Sequence, residues 1–279
     1  MLKIIFEIGH PGHVHQFKNL SSLLKKRGHE VLFAAKKKDC SIELLDAYKL
    51  NYEIIGYNYR NLFLKLWSLI SSLFNLILIS KRFSPDIFIS RVSPVSGYAS
   101  ILFRKKHIAF NDTEHCNLTD KLALRTCHKV FTSTSFMNDL GSKQEKFNGI
   151  TEFFYLDPNY FTPNPYFYTE NNMDSKQKYV FLRFVSWSAA HDIGYSGLSN
   201  LEKVKLVNFL SKHYKVIINS ESELPNYFEK YRYNVEPSKV HDLLYYSSLY
   251  IGEGSTMASE AALLGTPSIY TNELKLGYI

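Results

Sequence analysis

The chain has 279 residues, enough for two domains of ordinary size, each with its own core. Its composition (45% apolar, 21% charged, 15% aromatic) is that of a folded soluble protein, and Cys40, Cys116 and Cys127 lie too far apart for a disulfide framework or a thiolate metal site. The net charge of +7 points to an anionic partner, a nucleotide, an acidic glycan or an anionic membrane. It does not point to nucleic acid, because the cations are spread along the chain and no aromatic-interleaved RNA-binding signature occurs. Residues 1–8 are too short and too acidic for a signal peptide, and reduced thiols fit the cytoplasm.

Lys3 to Ile8 reads as a buried strand, Gln16 to Arg27 as a helix stopped at Gly28, and Glu30 to Ala35 as a second strand. Between them lies Gly9-His10-Pro11-Gly12-His13-Val14-His15, at a strand's carboxyl end, where open α/β sheets bind ligands. A neutral histidine there suits general-base work, and plain helix capping is the alternative. A metal site is disfavoured because no carboxylate is interleaved. A helix from Cys40 to Lys49 and a strand from Tyr52 to Gly56 follow.

Residues 61–79 are apolar enough to invite a transmembrane reading. However, Lys65, Ser68, Ser72 and Asn75 recur three or four apart on one face, which predicts an amphipathic helix packed on the sheet. The wide apolar arc of Leu62–Ile79 allows peripheral membrane contact. A strand at Ile87 to Ser90, a helix at Val95 to Phe103 and a strand at His107 to Phe110 come next. That strand ends in Asn111-Asp112-Thr113-Glu114-His115. Asp112 and Glu114 are candidates for acid–base or hydroxyl-binding work; otherwise Asp112 or Thr113 caps the helix containing Lys121 to Cys127. Lys129 to Thr132 closes a domain of six or seven strands.

Three prolines between Leu156 and Pro165, followed by polar residues to Lys178, read as a linker over 156–178, between a domain at 1–155 and another at 179–279. The second domain opens with a strand at Tyr179 to Val185, the loop Ser186 to Asp192 and a helix from Asn200 to His213. A strand at Lys215 to Asn219 ends at Ser220-Glu221-Ser222-Glu223, a short strand is expected near Asn234 to Pro237, and a helix at Lys239 to Tyr246. Then Leu249 to Gly252 runs as a strand into Glu253-Gly254-Ser255-Thr256 and a helix that stops at Gly265. The small residues admit a ligand to the backbone, and the first N–H groups of the helix favour an anion such as phosphate. Glu260, one turn beyond Thr256, can accept from a ribose. An ordinary turn with Ser255 or Thr256 as N-cap is the alternative.

Through Gly9 to Val14, Phe110 to His115, Arg183 to Trp187 and Gly252 to Pro267, the chain resembles the glycosyltransferase-B fold over essentially its whole length. More narrowly, it is similar to the domain of unknown function family 354. The resemblance implies an α/β architecture of two Rossmann-like parallel-sheet domains, the first on the acceptor side and the second holding a nucleotide-sugar. It implies a glycosyltransferase that uses a UDP-sugar without metal or cofactor. The acceptor would be a glycan or lipid-linked, in surface polysaccharide or glycoconjugate synthesis in the cytoplasm or at the inner face of the membrane. By this resemblance His13 and Asp112 are catalytic, His13 as general base. Gly12, Arg183, Gly254, Ser255, Thr256 and Glu260 bind the nucleotide-sugar, with Gly254 to Thr256 on the diphosphate and Glu260 on the ribose.

The non-hydrolysing UDP-N-acetylglucosamine 2-epimerases share this fold and carry Asp-Ser-Gly-Gly-x-x-Glu-Glu-Ala where this chain has Glu253 to Ala261. Their ribose-holding Glu matches Glu260 and Asp112 falls near a catalytic carboxylate, but the paired glycines, the first Glu and a His-Arg motif are missing. A nucleotide-sugar-binding scaffold without chemistry is the third reading. Proteins of this fold continue past the last motif, so the second domain is expected to lack its C-terminal end.

Overall fold

A computed structural model of the protein describes residues 1–59, 61–114, 118–185, 197–220 and 225–272, except the side chains of residues 62 and 118–120. His115, the loop Ser186 to Asp192 with Trp187, and Glu221 to Glu223 lie outside the described residues. The chain divides into two compact units, Met1–Tyr155 and Leu156–Ile279.

The first unit alternates β1 (Lys3–Ile8), α1 (Pro11–Lys26), β2 (Glu30–Lys37), α2 (Ser41–Ala47), β3 (Tyr52–Tyr57), α3 (Leu62–Phe83), β4 (Ile87–Arg91), α4 (Pro94–Phe103), β5 (Lys106–Asn111), α5 (Leu118–Thr126), β6 (Lys129–Ser133), β7 (Gln144–Phe147) and α6 (Phe153–Leu156). Its seven strands pair in parallel in the order β3-β2-β1-β4-β5-β6-β7. The apolar run of β1 is buried on both faces, as a central parallel strand must be. Ile4, Phe6 and Ile8 join Val14 and Phe17 of α1 and Leu44 and Leu45 of α2 in one core. Ile5 turns the other way, to Leu76 and Ile79 of α3 and Val95 and Ala99 of α4.

Three expectations change here. First, α1 starts at Pro11 rather than Gln16, because proline at the first helical position supplies the helical φ and gives up only an N–H that has no intrahelical partner. Second, β7 escaped notice because Gln144-Glu145-Lys146-Phe147 is an edge strand outside the core and has no apolar run to betray it. Third, α3 turns its polar stripe inward beside Leu69, Leu73, Leu76 and Ile79, which pack on the sheet. β3 is the sheet's other edge, with carbonyls that need donors. Ser68 Oγ donates to the carbonyl of Tyr57, Asn75 Nδ2 donates to that of Ile55 at 2.9 Å, and Ser72 is fully buried beside Gly56.

The second unit contains α7 (Phe167–Glu170), β8 (Tyr179–Phe184), α8 (Asn200–Leu210), β9 (Lys215–Ser220), α9 (Asn226–Glu229), α10 (Val240–Tyr245), β10 (Leu249–Gly252), α11 (Ser255–Leu263) and β11 (Ser268–Tyr270). Four parallel strands run in the order β11-β10-β8-β9. Tyr179, Phe181 and Tyr250 pack with Leu243, Leu244 and Ala261 on one face, and Val180, Leu182 and Phe184 pack with Val207, Leu210 and Phe228 on the other.

The stretch read as a linker contributes core here, since Phe167 and Met173 are buried in the first of these clusters; apolar side chains within a polar run were drawn into the nearest core. The strand expected near Asn234 to Pro237 does not form. Arg232 alone bridges to Ile218, and residues 237–239 make a 3-10 turn, because Pro237 has no ladder donor.

Candidate functional site

Each unit gathers loops at the carboxyl ends of its strands, beside the point where the strand order reverses. In the first unit the reversal lies between β1 and β4. His10 is the N-cap of α1, and its Nδ1 accepts the N–H of Gly12 at 3.2 Å. His13 therefore stands in the helix's first turn, where its Nδ1 accepts the N–H of Gly9 at 3.3 Å. His15 is buried, with Nδ1 3.2 Å from the Tyr48 hydroxyl and its ring against Tyr155. The His10 and His13 rings lie 6.0 Å apart while His15 turns to Tyr48 and Tyr155, and among the described residues no group of three or more His, Cys, Asp or Glu side chains is placed to hold a metal ion.

Arg91, the last residue of β4, joins the candidates. Its Nη1 donates to Gln16 Oε1 at 3.2 Å, and its Nη2 forms an ion pair with Asp112 at the end of β5. Asp112 also accepts from Thr151 Oγ1 at 3.1 Å and from Thr113 Oγ1 at 3.2 Å, so its carboxylate is already engaged. Because α5 begins at Leu118, neither Asp112 nor Thr113 is its cap. Glu114 is buried rather than presented at the surface.

Burial first, then the charges of Arg91, His10 and Lys38, hold the His13 pKa well below the ordinary histidine range. His13 is accordingly neutral near pH 7. With Nδ1 accepting from Gly9, its proton sits on Nε2. Sequence reading missed Arg91, although a cation closing an apolar strand was the available signal.

In the second unit the reversal lies between β8 and β10. Gly254 is the N-cap of α11, so Ser255 and Thr256 begin the helix rather than capping it. Among the described residues, a Cβ on Gly254 would meet Val185 Cγ1 at an ordinary 3.6 Å. Gly265, at φ +83°, ends the helix, with the Thr266 N–H on the Ala261 carbonyl at 2.9 Å.

Arg183, half-buried, stands in register with Gly252 at the end of β8, and its carbonyl accepts the N–H of Glu253 at 3.2 Å. The carboxylate of Glu253 has 0% exposure and accepts from the N–H groups of Val185 and Leu198 at 2.9 Å each and from Lys203 Nζ at 3.3 Å. It braces the turn that opens α11, and the sequence alone did not reveal it.

Glu260, 5% exposed, points inward, with Oε1 3.2 Å from Nε2 of the buried His241 on α10. An open recess lined by Lys176, Lys178, His213, Lys215 and Lys230 lies at the amino ends of β8 and β9, the opposite end of the sheet, and includes none of these residues. The sequence candidates therefore form two sets. His13 and Asp112 lie near Arg91 in one unit, with Gly12 in the first turn of α1, and Arg183, Gly254, Ser255, Thr256 and Glu260 lie along β8 and α11 in the other.

A family model described as protein of unknown function DUF354 matches residues 2–276. No curated protein matches the sequence. Among solved structures, the chain is similar to a UDP-N-acetylglucosamine 2-epimerase from Rickettsia bellii, with a TM-score of 0.67, 12% identity, and coverage of 96% of this chain and 78% of that one. It is similar to the Neisseria meningitidis UDP-GlcNAc 2-epimerase bound to UDP-GlcNAc, with a TM-score of 0.63, 12% identity and coverage of 95% and 81%. It is also similar to the Streptomyces sp. SF2575 glycosyltransferase SsfS6 complexed with thymidine diphosphate, with a TM-score of 0.59, 14% identity and coverage of 96% and 81%. These likenesses establish the glycosyltransferase-B fold.

Proposed function

The chain belongs to the DUF354 family of proteins of unknown function, and from that premise we propose that it is a glycosyltransferase that takes a sugar from a UDP-sugar, without metal, to a glycan or lipid-linked acceptor. The observation that carries this reading is the start of α11. A nine-residue helix with glycine at its N-cap starts beside the reversal point of a parallel sheet, where a diphosphate gains both N–H donors and the dipole.

In the reaction, the acceptor hydroxyl attacks the anomeric carbon as the bond from that carbon to the diphosphate oxygen breaks. The electron pair leaves with UDP, whose new charge Gly254, Ser255 and Thr256 stabilise through their backbone, with Arg183 beside them. Glu260 takes the ribose, next to the hydrogen bond it makes with His241.

His13 receives the hydroxyl proton. Its ring has to present a bare Nε2 for that step, so the Gly9 contact must give way to the tautomer protonated on Nδ1. Because the pKa of His13 is lowered, a base in this position stays competent as pH falls through the ordinary histidine range, and activity is lost only below it. A pH–rate profile whose acid limb sits at an ordinary histidine pKa would count against His13 as base.

Thermal denaturation with a panel of nucleotides tests the binding reading. UDP is expected to raise the melting temperature, with Glu260→Gln removing most of the shift and His13→Ala leaving it intact. No shift with any nucleotide would sink the proposal.

Asp112, fixed by Arg91 at a strand's carboxyl end, favours the epimerase as second reading. That enzyme, given UDP-N-acetylglucosamine alone in heavy water, incorporates deuterium at C2 of the sugar, whereas the transferase does not. Binding without turnover of any donor would leave the scaffold reading.

A further inference from the structure

The outward face of α3 is a feature that the nucleotide reading does not use. Its polar stripe is spent on the β3 edge, so the opposite side of the helix faces out. That side carries Phe63 at 83% exposure, Trp67 at 64%, Ile70 at 54%, Phe74 at 59% and Leu78 at 41%. The spacing of four, three, four and four residues makes one straight stripe along the helix.

The right-handed crossovers from β3 to β6 place α3, α4 and α5 on the same side of the sheet, packed in series. There α4 adds Tyr98, Ile101 and Leu102, and α5 adds Leu122, all exposed. An apolar surface of this breadth, presented to water, marks a contact face.

The charge around it selects the partner. The sequences of α3, α4 and α5 hold Lys65, Lys81, Arg82, Lys121 and Arg125 against a single acid, Asp120. Arg104, Lys105 and Lys106 follow α4 directly. Among the described residues Arg82 pairs with Glu53 and Lys105 with Asp86, which leaves a net positive rim. A second copy of the face would bring like charge to like charge.

We propose that this face docks on the surface of an anionic lipid bilayer, with α3 lying in the interface, its stripe toward the acyl chains and the flanking cations on the headgroups. The 22-residue helix is long and apolar enough to cross a membrane, but Ser68 and Asn75 hold it against β3, so it lies on the bilayer rather than spanning it.

Flotation of the full chain with vesicles provides the test. Binding is expected to vesicles rich in phosphatidylglycerol and to fade with salt, with little to phosphatidylcholine alone. The double variant Trp67→Ser, Phe74→Ser is expected to weaken partition at least about tenfold. Lys81→Ala is expected to weaken it about fivefold. All three side chains are exposed, and unchanged thermal melting verifies that the variants fold. The proposal is overturned if the parent does not float with anionic vesicles, or if the double variant floats as well as the parent. It is equally overturned if sedimentation shows a dimer that the double variant abolishes while vesicles are ignored. None of these readouts depends on nucleotide binding, so the two proposals fail separately.

Discussion

His107 shows how much a single buried residue can set. It is 1% exposed, with Nε2 2.7 Å from Ser90 Oγ and Nδ1 3.5 Å from Cys127 Sγ. Burial lowers its pKa from 6.5 to about 4, so the unfolded chain takes up a proton that the folded protein refuses. Its contribution is complete above the unfolded value and drains as pH falls through the window between the two, by at most about 3 kcal/mol. His107→Leu is expected to flatten this loss, read as a smaller change in the urea midpoint between neutral and mildly acidic pH; an unchanged slope would assign the loss to other groups. Glu253→Ala strands two backbone donors and the Lys203 ammonium, and is expected to cost about 3 kcal/mol in urea unfolding. His13 and Asp112 were legible because chemistry-bearing residues at strand ends are conspicuous. Arg91, Glu253 and His241 were not, because their roles rest on partners far away in sequence, and only strand order brings those together.

Among the elements, α3 packs on the sheet as its periodicity predicted, but the unpaired edge of β3 decided that Ser68 and Asn75 turn inward beside Leu69, Leu73, Leu76 and Ile79. α4 and α5 meet closely at Gly97, where an added Cβ would lie 2.9 Å from Thr126 Cβ. Gly97→Ala is therefore expected to destabilise by about 1–3 kcal/mol through overpacking, measured as a drop in melting temperature. At α11 one substitution separates fold from function. Gly254→Asp introduces a capping carboxylate at φ −98°, with room for its Cβ, and is expected to stabilise the protein by a few tenths to about 1 kcal/mol. The same carboxylate occupies and repels the diphosphate position, so UDP affinity is expected to fall sharply in titration calorimetry. A variant that gained stability and kept its affinity would remove the anion from this helix.

Over the whole molecule, two units each supply a parallel sheet with its own buried core. If the nucleotide is held by β8, β10 and α11, amide exchange with UDP bound is expected to slow around residues 249–258 and to remain unchanged at β2 and β3. At ligand concentrations about a hundredfold above Kd, the added stability is about 2.7 kcal/mol. Protection confined to the first unit would place the nucleotide elsewhere.

The sequence by itself determined the alternation of strands and helices, the parallel sheets, the Gly-His turn and the small-residue start of α11. Apolar periodicity, glycine φ and proline geometry are local properties, written in the order of residues. Only the tertiary structure decided that the Asp112 carboxylate belongs to Arg91, that Glu253 braces the turn, that Glu260 faces His241, and that α3 shows its apolar side outward. Those outcomes depend on which strand lies next to which and on where a sheet edge is left unpaired. Donors and acceptors buried far apart in sequence must find one another, and no local pattern records the match.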